Sequence, residues 1–371
     1  MDLPLLLVLL PLVCGIVVAS IKAFNIRKYF VFASSLLLAI VSIACVVKYA
    51  KSLPVRISYD AEWIQPLMLG LELFMAGMVA FLAIKYKKKL ALVLAFAQVA
   101  LAIFFEVRYG ESVPIHADIV IDQLTIIMLL IVGIVGGLIG VYATGYMKTY
   151  QEENPDVPDR RRYFFLVLFV FMSAMFGLVL SNNILWMYFF WEITTVCSFL
   201  LIGYSRTEEA VRNSFRAVVM NLAGGLAYMG AIIVLANDGG ILEFDRLSSV
   251  PPVFLAIPLT LLCVAGFTKA AQLPFSSWLL GAMVAPTPIS ALLHSSTMVK
   301  AGVYLFLRLA PLLSSSMPGY LTAFVGGVTF LVGAVLAISQ RNAKRVLAYS
   351  TISNLGLIVA CAGIGTYQTI W

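Results

Sequence analysis

The sequence predicts an all-α polytopic membrane protein with about 12 transmembrane helices, and three observations carry that reading. Of 371 residues, 62% are hydrophobic and only 12% are charged, whereas soluble domains run near 45–50% apolar and about 25% charged. Mean hydropathy is +0.99. The apolar residues also fall into runs of the ~20 residues that a helix needs to cross a bilayer. The longest polar loop, 145–162 with QEENPDVPDR in it, is too short to fold alone.

Read in order, the spans lie at 3–21, 30–48, 64–84, 89–106, 122–144, 163–181, 184–204, 214–236, 251–268, 288–307, 319–339 and 346–363. The first lacks a basic leader and a small-residue cleavage site, so it reads as a retained helix rather than a signal peptide. Lys22, Arg27 and Lys28 part it from the second, and Lys85, Lys87, Lys88 and Lys89 part the third from the fourth. Lys148 and Arg160–Arg162 follow the fifth, Arg206, Arg212 and Arg216 follow the seventh, and Arg341, Lys344 and Arg345 follow the eleventh. Residues 269–287 are apolar but proline-bearing and read as a broken continuation of the ninth span.

Loops after odd-numbered spans thus hold 17 basic residues, and loops after even-numbered spans, with their flanks, hold 6: Lys48, Lys51, Arg56, Arg108, Arg246 and Arg308. That asymmetry places the odd loops in the cytoplasm and the N-terminus outside. The net charge of +7 therefore marks topology, and a nucleic-acid partner is not expected; the partner is the lipid bilayer. Five cysteines stand singly in apolar runs, without a CxxC, and there are only two histidines. Neither a disulfide framework nor a metal or iron–sulfur site is expected. No haem pattern, P-loop or dinucleotide fingerprint occurs, so no cofactor is expected in this chain.

Function is expected where charge is least welcome. Glu72, Glu192, Lys269 and Lys300 lie inside apolar spans, joined by His294, and each charge costs about 3 kcal/mol at a helix centre. Tyr188 and Thr195 share the helical face of Glu192. Pro274 lacks a backbone donor and should interrupt the helix beyond Lys269, so that freed carbonyls, Gln272, Ser276 and Ser277 can hold water. His294 and Lys300, six residues apart on a regular helix, are separated by about 9 Å along the axis and about 120° around it. They cannot touch, but Thr287, Ser290, Ser295, Ser296 and Thr297 supply hydroxyls through which waters can relay a proton. For Glu72 a purely structural role weighs as much as a functional one.

At GFTKAAQLPFSSWL, APTPISALLHSSTMVKAGVYLFLR and RNAKRVLAYSTISNLG the chain closely resembles the antiporter-like subunits of respiratory complex I. The same family includes the large subunits of Mrp-type sodium/proton antiporters and membrane subunits of energy-converting hydrogenases. The resemblance runs from about Val120 onward and implies two inverted five-helix units. The first covers 163–309 and contains the broken helix; the second begins in 319–371 and is incomplete there; residues 1–144 are N-terminal helices. By resemblance, the membrane glutamate is Glu192, its partner lysine Lys269, and the relay His294 followed by Lys300.

The sequence also departs from the pattern. Gly225 stands where complex I members often carry an acid, and Asn342 replaces the acid before KRVLAYST; with HSSTMVK, this looks closer to the Mrp-type and hydrogenase branches. Spans 64–84 and 89–106 look like an additional helix pair, so Glu72 has no counterpart. The implied function is proton translocation in a prokaryotic plasma membrane, within a redox-driven complex such as an energy-converting hydrogenase. Its partners are then other membrane subunits and an iron–sulfur or hydrogenase-like peripheral arm, and the chain itself is a non-redox subunit. Two rivals stay open: a sodium/proton antiporter subunit driven by the ion gradient alone, and a structural anchor.

Overall fold

A computed structural model describes residues 2–59, 63–110, 113–238 and 240–366. Among them, 12 helices are long and apolar enough to cross a membrane: α1 (Leu3–Ser20), α2 (Phe24–Tyr49), α3 (Ile64–Lys85), α4 (Lys89–Tyr109), α5 (Gln123–Glu153), α6 (Arg161–Leu180), α7 (Ile184–Ile202), α8 (Glu208–Asp238), α9 (Pro252–Lys269), α10 (Thr287–Leu313), α11 (Met317–Ile338) and α12 (Ala343–Ile364). Each corresponds to one of the spans read from the sequence, so the chain is an all-α polytopic membrane protein. Helix starts follow local chemistry: Asp122, Asn183, Ser316 and Asn342 each turn a side-chain oxygen onto a free amide at the first turn, as capping residues do. Asn342 accepts from Lys344 N at 3.0 Å, so the residue that replaces the expected acid caps α12.

One element was not expected. Val55–Ile57 (β1) and Ile119–Ile121 (β2) pair antiparallel, with Val55 opposite Ile121. Three-residue strands are too short to leave a periodic signal in sequence.

The helices are unequally buried. In α6, 83% of the spanning window is covered by the rest of the protein, against 17% in α3. A large core joins α1, α2 and α5–α10 with α12. A second, smaller cluster (Val79, Ala83, Ala91, Ala95, Val196, Phe199, Phe215, Val218 and Leu222) holds α3 and α4 against α7 and α8. Helices α11 and α12 approach closely through glycine: a methyl group on Gly326 would lie 2.7 Å from the Gly356 carbonyl oxygen. Small residues allow such contact where no water is present to drive apolar association.

Basic residues gather at both ends of the bundle. At the β1–β2 end, Arg56 pairs with Asp245 at 2.6 Å and Arg246 with the buried Glu243 at 3.0 Å. Arg308, counted in the sequence among the loop and flanking cations, has a structural role as well. It lies within α10, with its side chain only 13% exposed, and pairs with Asp122. It also bonds Thr125 Oγ1 at 2.7 Å and Tyr304 Oη at 2.6 Å, and Tyr304 donates to Val179 O, so α5, α6 and α10 are knotted together. At the opposite end Arg212, Arg216, Lys344 and Arg345 line an open cavity of about 650 Å³. That end also holds the pairs Arg161–Asp159 at 2.7 Å and Lys148–Glu152 at 3.9 Å.

Candidate functional site

Helix α9 stops at Lys269. Ala270 N still reaches Gly266 O at 2.8 Å, and Trp278 Nε1 caps Thr268 O at 2.9 Å. The chain then runs through irregular turns to a short helix, Ser277–Gly281. The predicted break is present, and it falls five residues before Pro274. Terminal carbonyls that would otherwise lack partners in the membrane are met by the protein itself.

The side chain of Lys269 is 0% exposed. Its ammonium donates to Trp191 O at 2.9 Å and Thr195 Oγ1 at 2.8 Å, and lies 4.8 Å from the centre of the Trp191 ring. An aromatic face so close attracts a desolvated cation. All three contacts come from α7, from the residue before Glu192 and the residue one turn after it. The lysine is thus seated beside Glu192 without a direct ion pair, and the two remain in electrostatic contact.

Glu192 is 5% exposed, and its Oε1 has no hydrogen-bond partner among the described residues. Gln98 reaches the carboxylate while donating to Tyr188 Oη at 2.7 Å. Tyr188 therefore shares the site as its helical spacing suggested, but through Gln98. Gly225 acquires a reason: a Cβ there would lie 2.5 Å from Glu192 Oε1 and 3.0 Å from Gln98 Nε2. No side chain fits at that position while the glutamate holds this pose.

His294 and Lys300 are placed differently from the expectation. Residues 287–313 do not form a regular helix: Leu292–Ser296 is a π-turn, and Thr297 leaves helical geometry with φ −134° and ψ −85°. The axial and angular separation calculated for an ideal helix therefore does not apply. Thr297 Oγ1 closes the turn by donating to Leu292 O at 2.6 Å, so its one proton is committed and it can only accept in any relay between His294 and Lys300. Thr287 instead donates to Tyr146 Oη at 3.1 Å. Both ring nitrogens of His294 and Ser290 Oγ are buried without partners among the described residues. The side chains of Ser295 and Ser296, the other hydroxyls of the proposed relay, lie outside the described residues.

One contributor was missed in the sequence, and another was left undecided there. Gln98 is the one amide inside the apolar run of α4, which was the available signal. Glu72 is drawn to the site: with Gln98, Tyr188 and Glu192 it lines a cavity of about 30 Å³ between α3, α4 and α7, about the volume of one water molecule.

Residues 181–371 match the family model described as NADH:quinone oxidoreductase/Mrp antiporter, TM, and residues 109–164 match NADH-Ubiquinone oxidoreductase (complex I), chain 5 N-terminus. The Staphylococcus aureus protein named antiporter subunit mnhA2 is 41% identical over 262 residues, covering 69% of this chain and 32% of its own length. Its Staphylococcus haemolyticus namesake is 39% identical over 268 residues, 70% of this chain and 33% of the relative. The chain thus spans about a third of the length of the curated relatives it matches. Among solved structures, the Mrp complex from Dietzia sp. DQ12-45-1b aligns with a TM-score of 0.62 at 29% identity, covering 82% of this chain and 34% of that one. The membrane-bound sulfane sulfur reductase, an archaeal respiratory membrane complex, aligns with a TM-score of 0.74 at 19% identity, covering 97% and 64%, and shows a shared fold. The chain belongs to the NADH:quinone oxidoreductase/Mrp antiporter family of membrane proteins.

Proposed function

We propose that the chain is the ion-translocating part of an Mrp-type sodium/proton antiporter subunit, working with other membrane subunits in a prokaryotic plasma membrane with its N-terminus outside. Glu192 and Lys269 form the coupled pair, His294 relays protons, and Lys300 leads onward towards the second inverted unit. The observation that carries this is the Lys269 ammonium, fully buried at a helix break and held by Trp191 and Thr195 on either side of Glu192. A buried lysine beside a carboxyl can exchange its proton and change its pairing when the charge on its neighbour changes.

The sequence favoured a redox-driven pump with an iron–sulfur arm. The relatives at 39–41% identity carry antiporter names, whereas the respiratory reductase shares the fold at 19%, so the gradient-driven reading ranks first. In inverted membrane vesicles, an imposed sodium gradient should move protons with no electron donor present. Glu192→Gln or Lys269→Ala should abolish that exchange while the complex still assembles. Normal exchange in either variant would sink the site assignment, and exchange strictly dependent on an electron donor would restore the redox reading.

A further inference from the structure

The helix pair α3–α4 carries an acidic row that neither the Lys269 seat nor the His294 turn uses. Glu72 stands midway along α3 and lines the cavity of about 30 Å³ that Glu192 and Gln98 also line. Seven residues earlier, on the same face and about 10 Å nearer the helix end, Gln65 donates to Glu106 at 3.4 Å and to Gly110 O at 3.3 Å. Glu106 is eight residues beyond Gln98 on α4. At that end a cavity of about 410 Å³ opens, lined by Gln65, Tyr109, His116 and Asp118 among others. Glu72 is in electrostatic contact with both Glu192 and Glu106.

A structural anchor would need a cation, and among the described residues none pairs with Glu72. The charged and titratable groups around it are acids and a phenol: Glu106 from α4, and Glu192 and Tyr188 from α7. Lys269, beside Glu192 on α7, is committed to Trp191 O and Thr195 Oγ1 and makes no ion pair with Glu72. Neighbouring carboxyls in an apolar setting cannot all be ionised together, so they share protons. Glu192 Oε1, buried and unpartnered, provides the acceptor at the inner end. The cavity favours a proton over a sodium ion. Its walls are otherwise apolar side chains such as Leu73, Val79, Val99 and Leu222, and a hard cation wants several oxygens around it.

We propose that α3 and α4 form a lateral proton branch, in which Glu72 exchanges a proton with Glu192 across the cavity at Gln98 and Glu106 links Glu72 to the open end of the bundle at Gln65. In each transfer the donor carboxyl's O–H bond breaks and the acceptor carboxylate gains the proton; between Glu72 and Glu192 a water in the cavity can bridge them. This rests on Glu192 being a proton carrier, and the test separates the two ideas. In inverted vesicles containing the whole complex, Glu72→Gln should slow proton exchange by about tenfold or more, on the scale of a lost proton-transfer partner. The amount of complex should stay unchanged, and Glu72→Asp should recover most of the rate. Gln98→Leu, which keeps every carboxyl, should also be slow; it reports on the branch if the Glu72 variants assemble poorly. Parental rates in Glu72→Gln and Gln98→Leu beside an inactive Glu192→Gln would overturn the branch alone. An active Glu192→Gln would overturn the reading on which it rests, and a changed sodium requirement without slower proton exchange would make Glu72 a cation ligand instead.

Discussion

Lys269 and Lys300 are both lysines inside apolar helices, yet the fold treats them differently. Lys269 is fully buried and fixed by a carbonyl, a hydroxyl and an indole face, all from α7. Lys300 follows a π-turn, makes no hydrogen bond among the described residues, and has above it a histidine with both nitrogens unpartnered. The first arrangement holds a charge at one point beside Glu192. The second leaves donors and acceptors uncommitted, which suits groups that pass a proton on. A π-turn supports this because it releases backbone bonding from strict helical register, a form common at functional sites. Under the proposed function, Lys269 is the seated group that couples to Glu192 and Lys300 the unseated one that leads onward.

The sharpest way to break that contrast is to neutralise each lysine without changing its bulk. Lys269→Met should reduce ion exchange by more than about 100-fold, a loss comparable with removing a buried charge from its partner. Lys300→Met should cost about tenfold or less, because a water can replace an uncommitted group more readily than a seated one. Exchange assays on vesicles normalised to complex content would measure both. Equal losses would mean that the two lysines act as one unit.

Next in size is the seat itself. Thr195→Val keeps the shape of the side chain but removes the hydroxyl that accepts from the ammonium. A hydrogen bond to a charged group is worth about 1.5–3 kcal/mol, so exchange should fall by on the order of tenfold. Thr195→Ser should restore it. Loss in the valine variant without recovery in the serine variant would show that packing, rather than the acceptor, positions Lys269.

His294→Gln should have a smaller effect, a few-fold slowing, because the amide can still order water but cannot carry a proton. If His294→Gln exchanged at the parental rate at every pH tested, the histidine would be part of the packing and the conducting stretch would begin at Lys300.

The elements differ in how far the sequence revealed them. Spans, their order and the break after Lys269 were legible because apolar runs of bilayer length are a strong signal, and a charge within one stands out. Glu192 and Lys269 each stood out for the same reason, while their pairing was implied by the resemblance alone. What stayed hidden depended on which helices meet. Gln98 lies 90 positions from Tyr188 in sequence, and nothing local marks it as that residue's partner. The counterion of Arg308 was hidden because Asp122 sits 186 residues away. The π-turn at Leu292–Ser296 was missed because hydroxyl-rich sequence fits a regular helix equally well until Thr297 turns its side chain back on Leu292.

That turn yields the smallest predicted effect. Thr297→Val removes the 2.6 Å bond to Leu292 O and leaves a buried carbonyl with one acceptor site less satisfied. Thr297→Ser keeps the bond. The valine variant should lose about 1 kcal/mol of stability, the net worth of one hydrogen bond, read as a lower thermal midpoint in detergent, while the serine variant should match the parent. The change in exchange rate then shows what the turn is for. If the conducting stretch depends on the π-turn geometry, Thr297→Val should slow exchange at temperatures well below its unfolding, and more than Thr297→Ser does. If the segment only needs to be polar, stability should fall and the rate should not. The second result would remove the structural half of the contrast between the two lysines, leaving Lys300 a loose charge on a helix whose irregularity has no part in transport.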